Sequence, residues 1–471
     1  MVENSNRVKI LATIGPSCNN KESLQKMLDL GVNAFRVNMS HGTKEQKIDN
    51  IRLIRTLKNK WGMSPCILAD LAGPKIRIEK INCNPNLSEM DSLTLTNDHN
   101  EKKHNDIIVT SGFQFTDISE GAKILINDGR TSLIVEDKIS PNTLQCSVVI
   151  GGLIENRKGV NFPGISLDIP TISSQDKEDL IMSLNEGVDW IALSFVRSAN
   201  DHKEIKKIMS KQNIHVPIMA KIEKWEAIQE LDSIVDTFDA LMVARGDLGV
   251  EIPETQVPLV QKEIIEISNS KGKPVIIATQ FLENMVENPF PTRAEVSDIA
   301  NAIYDGADGL LVTGETAVGK YPLKVIEVLQ NVIKDNEDIN LFYNNYLPDE
   351  MTKTNEAISH AVSQVAKDLN VSAIVTMTHS GGTARMISRH RPSSPIIALT
   401  PFEDIVRQMS ILWGVNPILV GEYKDIDEIP DLCRKVLDEK KLVGDGELFV
   451  FTGGVPMNVA GSTNYLSVQK K

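Results

Sequence analysis

Four short polar clusters carry the residue types needed to move a phosphoryl group, and each closes an apolar run. They are Arg36, Asn38, Ser40 and His41; Lys221 and Glu223; Arg245, Gly246 and Asp247; and Thr279 and Gln280. Glu223 and Asp247 supply hard carboxylate oxygens, the ligands magnesium prefers, with substrate oxygens and water completing an octahedron. Lys221 lies two positions before Glu223, so in a strand both side chains share one face. An ammonium beside a divalent ion is suited to stabilising phosphoryl oxygens in transfer. Gly246 and Asp247 read as a strand turning into a short helix whose free N–H groups receive a carboxylate or phosphate. Thr279 offers a hydroxyl to the same anion. The plainer alternatives are carboxylates that cap helices or pair with cations, a Lys–Glu surface pair, and a threonine bonded to backbone.

The runs that carry these clusters look like parallel strands that turn polar at their carboxyl ends. Eight such segments are legible, at 8–15, 34–40, 65–73, 190–196, 217–223, 240–247, 274–280 and 309–316. Stretches with helical apolar spacing separate most of them, including KESLQKMLDLG and KEDLIMSLNEG, each closed by a glycine. Strand and helix alternating in this way predicts an α/β chain built on a (β/α)8 barrel, whose carboxyl-end mouth gathers the clusters. The third unit departs from the rhythm. Short alternating segments between 76 and 168 predict a β-rich insertion, a small β-barrel hanging over the mouth as a lid. Removing it leaves 1–75 and 169–344 as the catalytic barrel, of the usual ~250 residues. Residues 345–471 predict a further α/β domain.

Bulk composition narrows the function classes. With 471 residues, 41% hydrophobic and 24% charged, the chain reads as a multidomain globular protein. A net charge of −13 argues against general nucleic-acid or anionic-membrane binding, so an anionic substrate needs a local cationic site. No run spans a bilayer and the first residues do not resemble a secretory signal. Five cysteines without paired spacing predict reduced thiols in a cytoplasmic protein. Gly314, Gly319 and Lys320 match part of a nucleotide-binding loop, but Tyr321 stands where a magnesium-binding hydroxyl belongs, so that match is set aside.

From end to end the chain resembles pyruvate kinases. The motifs are TIGP, FRVNMSHG, DLAGPKIR, NDG at 127–129, KGVNFPG, SFVR, AKIE, VARGDLGVE, ATQ, NPFPTRAEVSDIANAIYDGADG, TGETAVGKYP and a final GGVP…GSTN. The resemblance implies transfer of phosphate from phosphoenolpyruvate to ADP, giving pyruvate and ATP, by a homotetramer with a mobile lid. It implies that Lys221 and Arg36 contact the phosphoryl group and that Gly246, Asp247 and Thr279 receive the substrate carboxylate. Glu223 and Asp247 would hold Mg2+, with Mn2+ able to substitute, and a second ion would arrive on ADP. Asn38, Met39, Ser40, His41 and Arg77 would face the nucleotide, joined by Lys158 from the lid.

The family's potassium site maps onto Asn38, Ser40, Asp70 and Leu71. Many members carry a Thr-Lys-Gly-Pro-Glu string where this chain has Leu71-Ala72-Gly73-Pro74-Lys75. Lys75 therefore brings a fixed ammonium in place of a glutamate, and the expectation is activity without K+. Thr378, His379, Ser380, Gly381, Gly382 and Thr383 resemble the effector loop, implying a phosphorylated allosteric ligand, a sugar phosphate or AMP. Helix capping by Ser380 or Thr383 is the alternative there. Arg389, His390 and Arg391 read as cations placed at a helix carboxyl end. Two other functions stand beside the kinase: a silent metabolite sensor on the same fold, and another phosphoenolpyruvate-using barrel enzyme such as a mutase or lyase. Retention of Lys221, Glu223, Asp247 and Thr279 counts against the sensor. The lid motif KGVNFPG and the NMSHG string have no use in the mutase or lyase.

Overall fold

A computed structural model describes residues 6–99, 106–337, 353–421, 429–454 and 463–471. Eight parallel strands close into a barrel: β1 (Lys9–Thr13), β2 (Val32–Asn38), β3 (Cys66–Asp70), β4 (Trp190–Leu193), β5 (Ile218–Ile222), β6 (Ala240–Ala244), β7 (Val275–Ala278) and β8 (Gly309–Val312). All eight expected strands form, but most end earlier than the apolar runs suggest. The polar tails leave the ladder: Arg245, Gly246 and Asp247 begin the helix Arg245–Glu251, and Thr279 and Gln280 turn away in left-handed backbone.

Alternation along the strands decides what enters the barrel. Ala34, Cys66, Leu68, Met219, Ala240, Met242, Ile276 and Leu311 form the interior cluster, while their neighbours pack outward on the helices. Continuing the inward register, Ala34 is followed by Arg36 and Asn38, Leu68 by Asp70, and Met219 by Lys221 and Glu223. The interior therefore changes from apolar to charged one layer below the mouth. Helices Lys21–Asp29 and Ser174–Asn185 end as their sequences predict, with Gly31 and Gly187 at φ 109° and 73° beyond their last turns.

The insertion folds on its own apolar core, including Phe113, Phe115 and Phe162. Its sheet runs from Val160–Asn161 through seven strands to Ile78–Ile81, and a bridge between Arg77 and Gly159 joins the two edges, closing a small barrel. The C-terminal unit is a five-stranded sheet, Val415–Leu419, Ile396–Thr400, Ala373–Met377, Leu448–Gly454 and Thr463–Lys470, with only the last strand antiparallel.

This unit docks on the closed end of the barrel. Ile411 joins the barrel-interior cluster, the Trp190 indole donates to the Gln408 carbonyl at 3.2 Å, and Arg407 pairs with Asp189 at 2.9 Å. Arg391 departs from the expected role at a helix end. Its guanidinium is buried, bonds Asp308 at 2.9 Å and Asn269 at 2.7 Å, and lies 4.9 Å from the Trp413 ring. Among the described residues, no helix is long and apolar enough to cross a membrane.

Candidate active site

The centre of the barrel mouth is an ion cluster built on β2, β3 and β5. The Lys221 amine lies 3.0 Å from Glu223 Oε1, 3.1 Å from Asp70 Oδ1 and 2.7 Å from Ser194 Oγ. Asp70 also receives Arg36 Nε at 2.6 Å, and Arg36 reaches Thr13 Oγ1 at 3.2 Å. All but Arg36 are buried. Burial alone would lower the Lys221 pKa, yet Asp70 and Glu223 outweigh it and hold the ammonium protonated, above its ordinary value. Burial opposes ionisation of Asp70 as well, but Lys221 and Arg36 together keep its carboxyl below the usual range. Burial pushes Glu223 upward against the pull of Lys221, and nearby Asp247 adds to the rise.

Asp247 closes one side of the cluster. Its Oδ1 accepts from Lys75 at 2.7 Å, and that pair overcomes burial to lower the Asp247 pKa. The Lys75 amine stands 5.8 Å from the centre of the Phe195 ring. Asp70, the potassium ligand expected from resemblance, is engaged by Arg36 and Lys221, and the Leu71 carbonyl accepts from Ser194 Oγ at 2.6 Å.

Thr279 adopts φ 71°, a conformation costly for a β-branched residue, on the order of 1–3 kcal/mol. Arg245 holds it there: Nη2 donates to the Thr279 carbonyl at 2.7 Å, while Nη1 grips both oxygens of Asp298 at 2.8 Å. The Thr279 hydroxyl thereby faces the start of helix Arg245–Glu251 and accepts the Gly246 N–H at 3.0 Å. The structure thus brings Arg36, Lys221, Glu223 and Asp247 to one mouth and sets Thr279 against Gly246.

Other expected residues spread outward. Asn38 Oδ1 accepts the Ser40 N–H at 3.0 Å, and Ser40 and His41 are exposed. The Met39 side chain differs from the reading that faces it to a nucleotide: it is buried in the barrel core, offering that surface only backbone. Arg77 caps the Arg157 carbonyl at 2.9 Å, and Lys158 pairs with Glu155 at 3.5 Å, both on the lid. Far below, helix Gly382–Ser388 starts at Gly381 with no side-chain cap, so capping by Ser380 or Thr383 does not explain that loop. Thr383 instead shares a 2.6 Å hydrogen bond with Thr463, while His379 packs edge-on against Phe402 at 4.5 Å and Thr378 is buried. Most of the GGVP…GSTN motif lies outside the described residues.

Sequence reasoning missed Ser194 and Phe195, which follow β4. Ser194 accepts from Lys221, and the Phe195 N–H donates to Glu223 Oε2 at 2.8 Å, so one turn holds both residues. Phe195 sits at φ 54°, and the turn presses so closely on Gly73 that a Cβ there would meet the Phe195 ring at 2.6 Å. The motif SFVR contains both residues, but neither type announces such a role.

Two family models match this chain: "Pyruvate kinase, barrel domain" over residues 5–326 and "Pyruvate kinase, alpha/beta domain" over residues 356–469. The chain belongs to the pyruvate kinase family. It is 42% identical over 463 residues to the pyruvate kinase of Thermotoga maritima, covering 98% of this chain and 99% of that one. It is 41% identical over 469 residues to pyruvate kinase 2 of Synechocystis, covering 98% and 79%. A crystal structure of a pyruvate kinase from Cryptosporidium parvum superposes with a TM-score of 0.91 at 31% identity, covering 99% and 96%. Family membership makes the chain a phosphotransferase.

Ser194 is accordingly a positioning residue for the Lys221 ammonium. Losing a hydrogen bond to a charged group weakens it by ~1.5–3 kcal/mol, so Ser194→Ala should lower kcat roughly ten- to hundredfold. The half-saturating phosphoenolpyruvate concentration should hardly move, and Ser194→Thr should restore much of the loss. Steady-state kinetics check this; a Ser194→Ala enzyme with full kcat contradicts it.

Proposed function

We propose that this chain transfers the phosphoryl group of phosphoenolpyruvate to ADP, yielding pyruvate and ATP, at the Lys221–Glu223–Asp247 mouth. The observation that carries the reading is the buried ammonium held within about 3 Å of two carboxylates at the carboxyl end of the barrel. Glu223 and Asp247 would hold Mg2+ or Mn2+. Their hard oxygens fit such an ion, and in this structure Lys221 and Lys75 supply the positive charge on those same carboxylates. When bound, the ion supplies charge neutralisation for the enol and phosphoryl oxygens.

The chain's own residues do the rest. Gly246 and Asp247 N–H groups, with the Thr279 hydroxyl, receive the substrate carboxylate. Lys221 and Arg36 contact the phosphoryl oxygens and stabilise the charge that spreads over them as the bond to the enol oxygen breaks. The bond to the ADP β-phosphate oxygen forms on the opposite side, the electron pair stays on the enol oxygen, and the enolate takes a proton at its terminal carbon. Asn38, Ser40, His41 and Arg77 face the nucleotide, with Lys158 arriving from the lid. The lid, 76–168, is joined to the barrel at the Asn161–Glu251–Lys224 contacts of 3.1 and 2.7 Å, next to Glu223 in sequence. The remaining chain divides into the barrel at 1–75 and 169–344 and a C-terminal domain at 345–471, supported by separate cores. A phosphorylated effector at 378–383, a homotetramer and a cytoplasmic location complete the proposal.

Lys221→Met should lower kcat on the order of 10²–10³-fold, the size of effect expected when one transition-state donor is removed. Phosphoenolpyruvate half-saturation should change little, since the lost contact belongs to the transition state. An assay of ADP-dependent pyruvate formation reads this; full turnover by the variant, or no ADP-dependent pyruvate from the unaltered enzyme, contradicts it.

The second expectation concerns potassium. The fixed ammonium of Lys75, already 2.7 Å from Asp247, supplies the charge that a monovalent ion brings elsewhere in the family. In rigorously potassium-free buffer the enzyme should turn over, with saturating K+ raising kcat by less than roughly tenfold, the ~1.4 kcal/mol of one lost charge contact. A larger activation contradicts the substitution.

A further inference from the structure

Where the C-terminal domain meets the closed end of the barrel, positive charge exceeds what the described residues pair. Arg391 bonds Asp308, Asn269 and the Gly306 carbonyl through its two terminal nitrogens. Arg389, two residues earlier, is only 5% exposed, and neither a hydrogen bond nor an ion pair joins its side chain to any described residue. Arg385, one turn back on the same helix, is likewise unpaired, with a buried Nε that has no acceptor. The third cation is Lys273, from the loop before β7, whose amine donates only to the carbonyls of Phe238 at 2.6 Å and Asp236 at 3.5 Å.

The three converge on a cavity of about 10 Å3 between the barrel loop and the helix Gly382–Ser388. Gly272 forms one wall: it sits at φ 64°, and a Cβ there would lie 3.3 Å from Arg389 Cδ and 3.9 Å from Arg389 Nη1. Asp308, which also lines the cavity, is held by Arg391 at 2.9 Å, and the other carboxylates nearby are engaged elsewhere. Asp239 accepts the Ile218 N–H at 2.9 Å, and Asp236 pairs with Lys271 at 3.0 Å. Glu356 acts on Arg389 only through its field, as Asp239 does on Arg385 and Lys273.

Buried charges in stable folds are paired, and a buried guanidinium nitrogen without an acceptor is unfavourable. An anion from solution would supply the negative charge that the described residues do not. The cavity lies inside the junction of the chain's own two domains and is about the size of one water, so it admits one oxygen of an anion, not a peptide segment. Two guanidinium forks from one helix, with the Lys273 ammonium from the barrel loop, suit the oxygens of a tetrahedral oxyanion. We propose that Lys273, Arg385 and Arg389 form a binding site for a phosphate- or sulfate-type oxyanion, free or as the phosphoryl group of a small metabolite. The site lies at the opposite end of helix Gly382–Ser388 from residues 378–383 and does not depend on the catalytic reading.

The test is calorimetric titration of the full chain, in phosphate-free and sulfate-free buffer at fixed ionic strength, with inorganic phosphate and then with ribose 5-phosphate. The unaltered protein should show a saturable component that weakens about tenfold or more in Arg389→Gln, as expected for a lost charge-assisted hydrogen bond. Arg389→Lys should fall between the two. Because it removes an unpaired buried cation, Arg389→Gln should also melt at a higher temperature than the unaltered protein without anion, and gain less when phosphate is added. ADP-dependent pyruvate formation without added phosphate should be unchanged. Tighter ribose 5-phosphate binding points to a carried phosphoryl group and equal binding to the free anion; either ranking upholds the site. Identical isotherms for unaltered and Arg389→Gln protein, or an equal response to sodium chloride, overturn it. So does a loss of assembly in Arg389→Gln, seen by sedimentation with phosphate binding intact, which would make the cluster a contact between copies.

Discussion

A protonated amine buried at the end of a barrel strand is the constraint around which the rest of this structure is arranged. Lys221 is placed by inward register on β5, directly above an apolar layer that excludes water. An ammonium in that position persists only if acids answer it, and Asp70 and Glu223 do so from both sides. Those acids need partners in turn: Arg36 takes one, and the Phe195 amide takes part of the other. The strained turn at Phe195, the glycine at 73 that leaves room for it and the capping Asp176 that bonds the Gly73 N–H all follow from holding this one charge.

A second rigid unit stands opposite. Arg245 fixes the left-handed backbone of Thr279 by bonding its carbonyl, and Asp298 fixes Arg245. The strain stored at Thr279 makes sense where a hydroxyl must point at one helix start and nowhere else. Between the two units, Asp247 is held by Lys75, a residue at the root of the lid. Lys75 thereby ties the root of the insertion to the charge of the site.

The barrel was legible because its strands are apolar and end in clusters whose residue types share a chemistry. Lys221 and Glu223 could be set on one face by spacing alone, and Asp247 and Thr279 by their place after strands. What spacing could not reveal was contact across the barrel. Ser194 is an ordinary small polar residue until the closing of β4 on β5 sets it under Lys221. The pairing of Lys75 with Asp247 joins residues 172 positions apart through a lid root whose path no local pattern encodes. Met39 misled because a backbone turn can face one way while its side chain enters the core. At the other end, Arg391 and Arg389 look equivalent in sequence, yet the first meets Asp308 and the second meets no acid among the described residues, a difference that arises from docking two domains.

In the function proposed above, Glu223 and Asp247 share one divalent ion beside the Lys221 amine. Anomalous diffraction from crystals grown with Mn2+, oxalate and ADP measures this directly. A single strong peak is expected about 2.0–2.2 Å from one oxygen of each carboxylate, the spacing of an octahedral oxygen site. A peak bound to neither residue, or a Lys221 amine turned away from the occupied mouth, would contradict it.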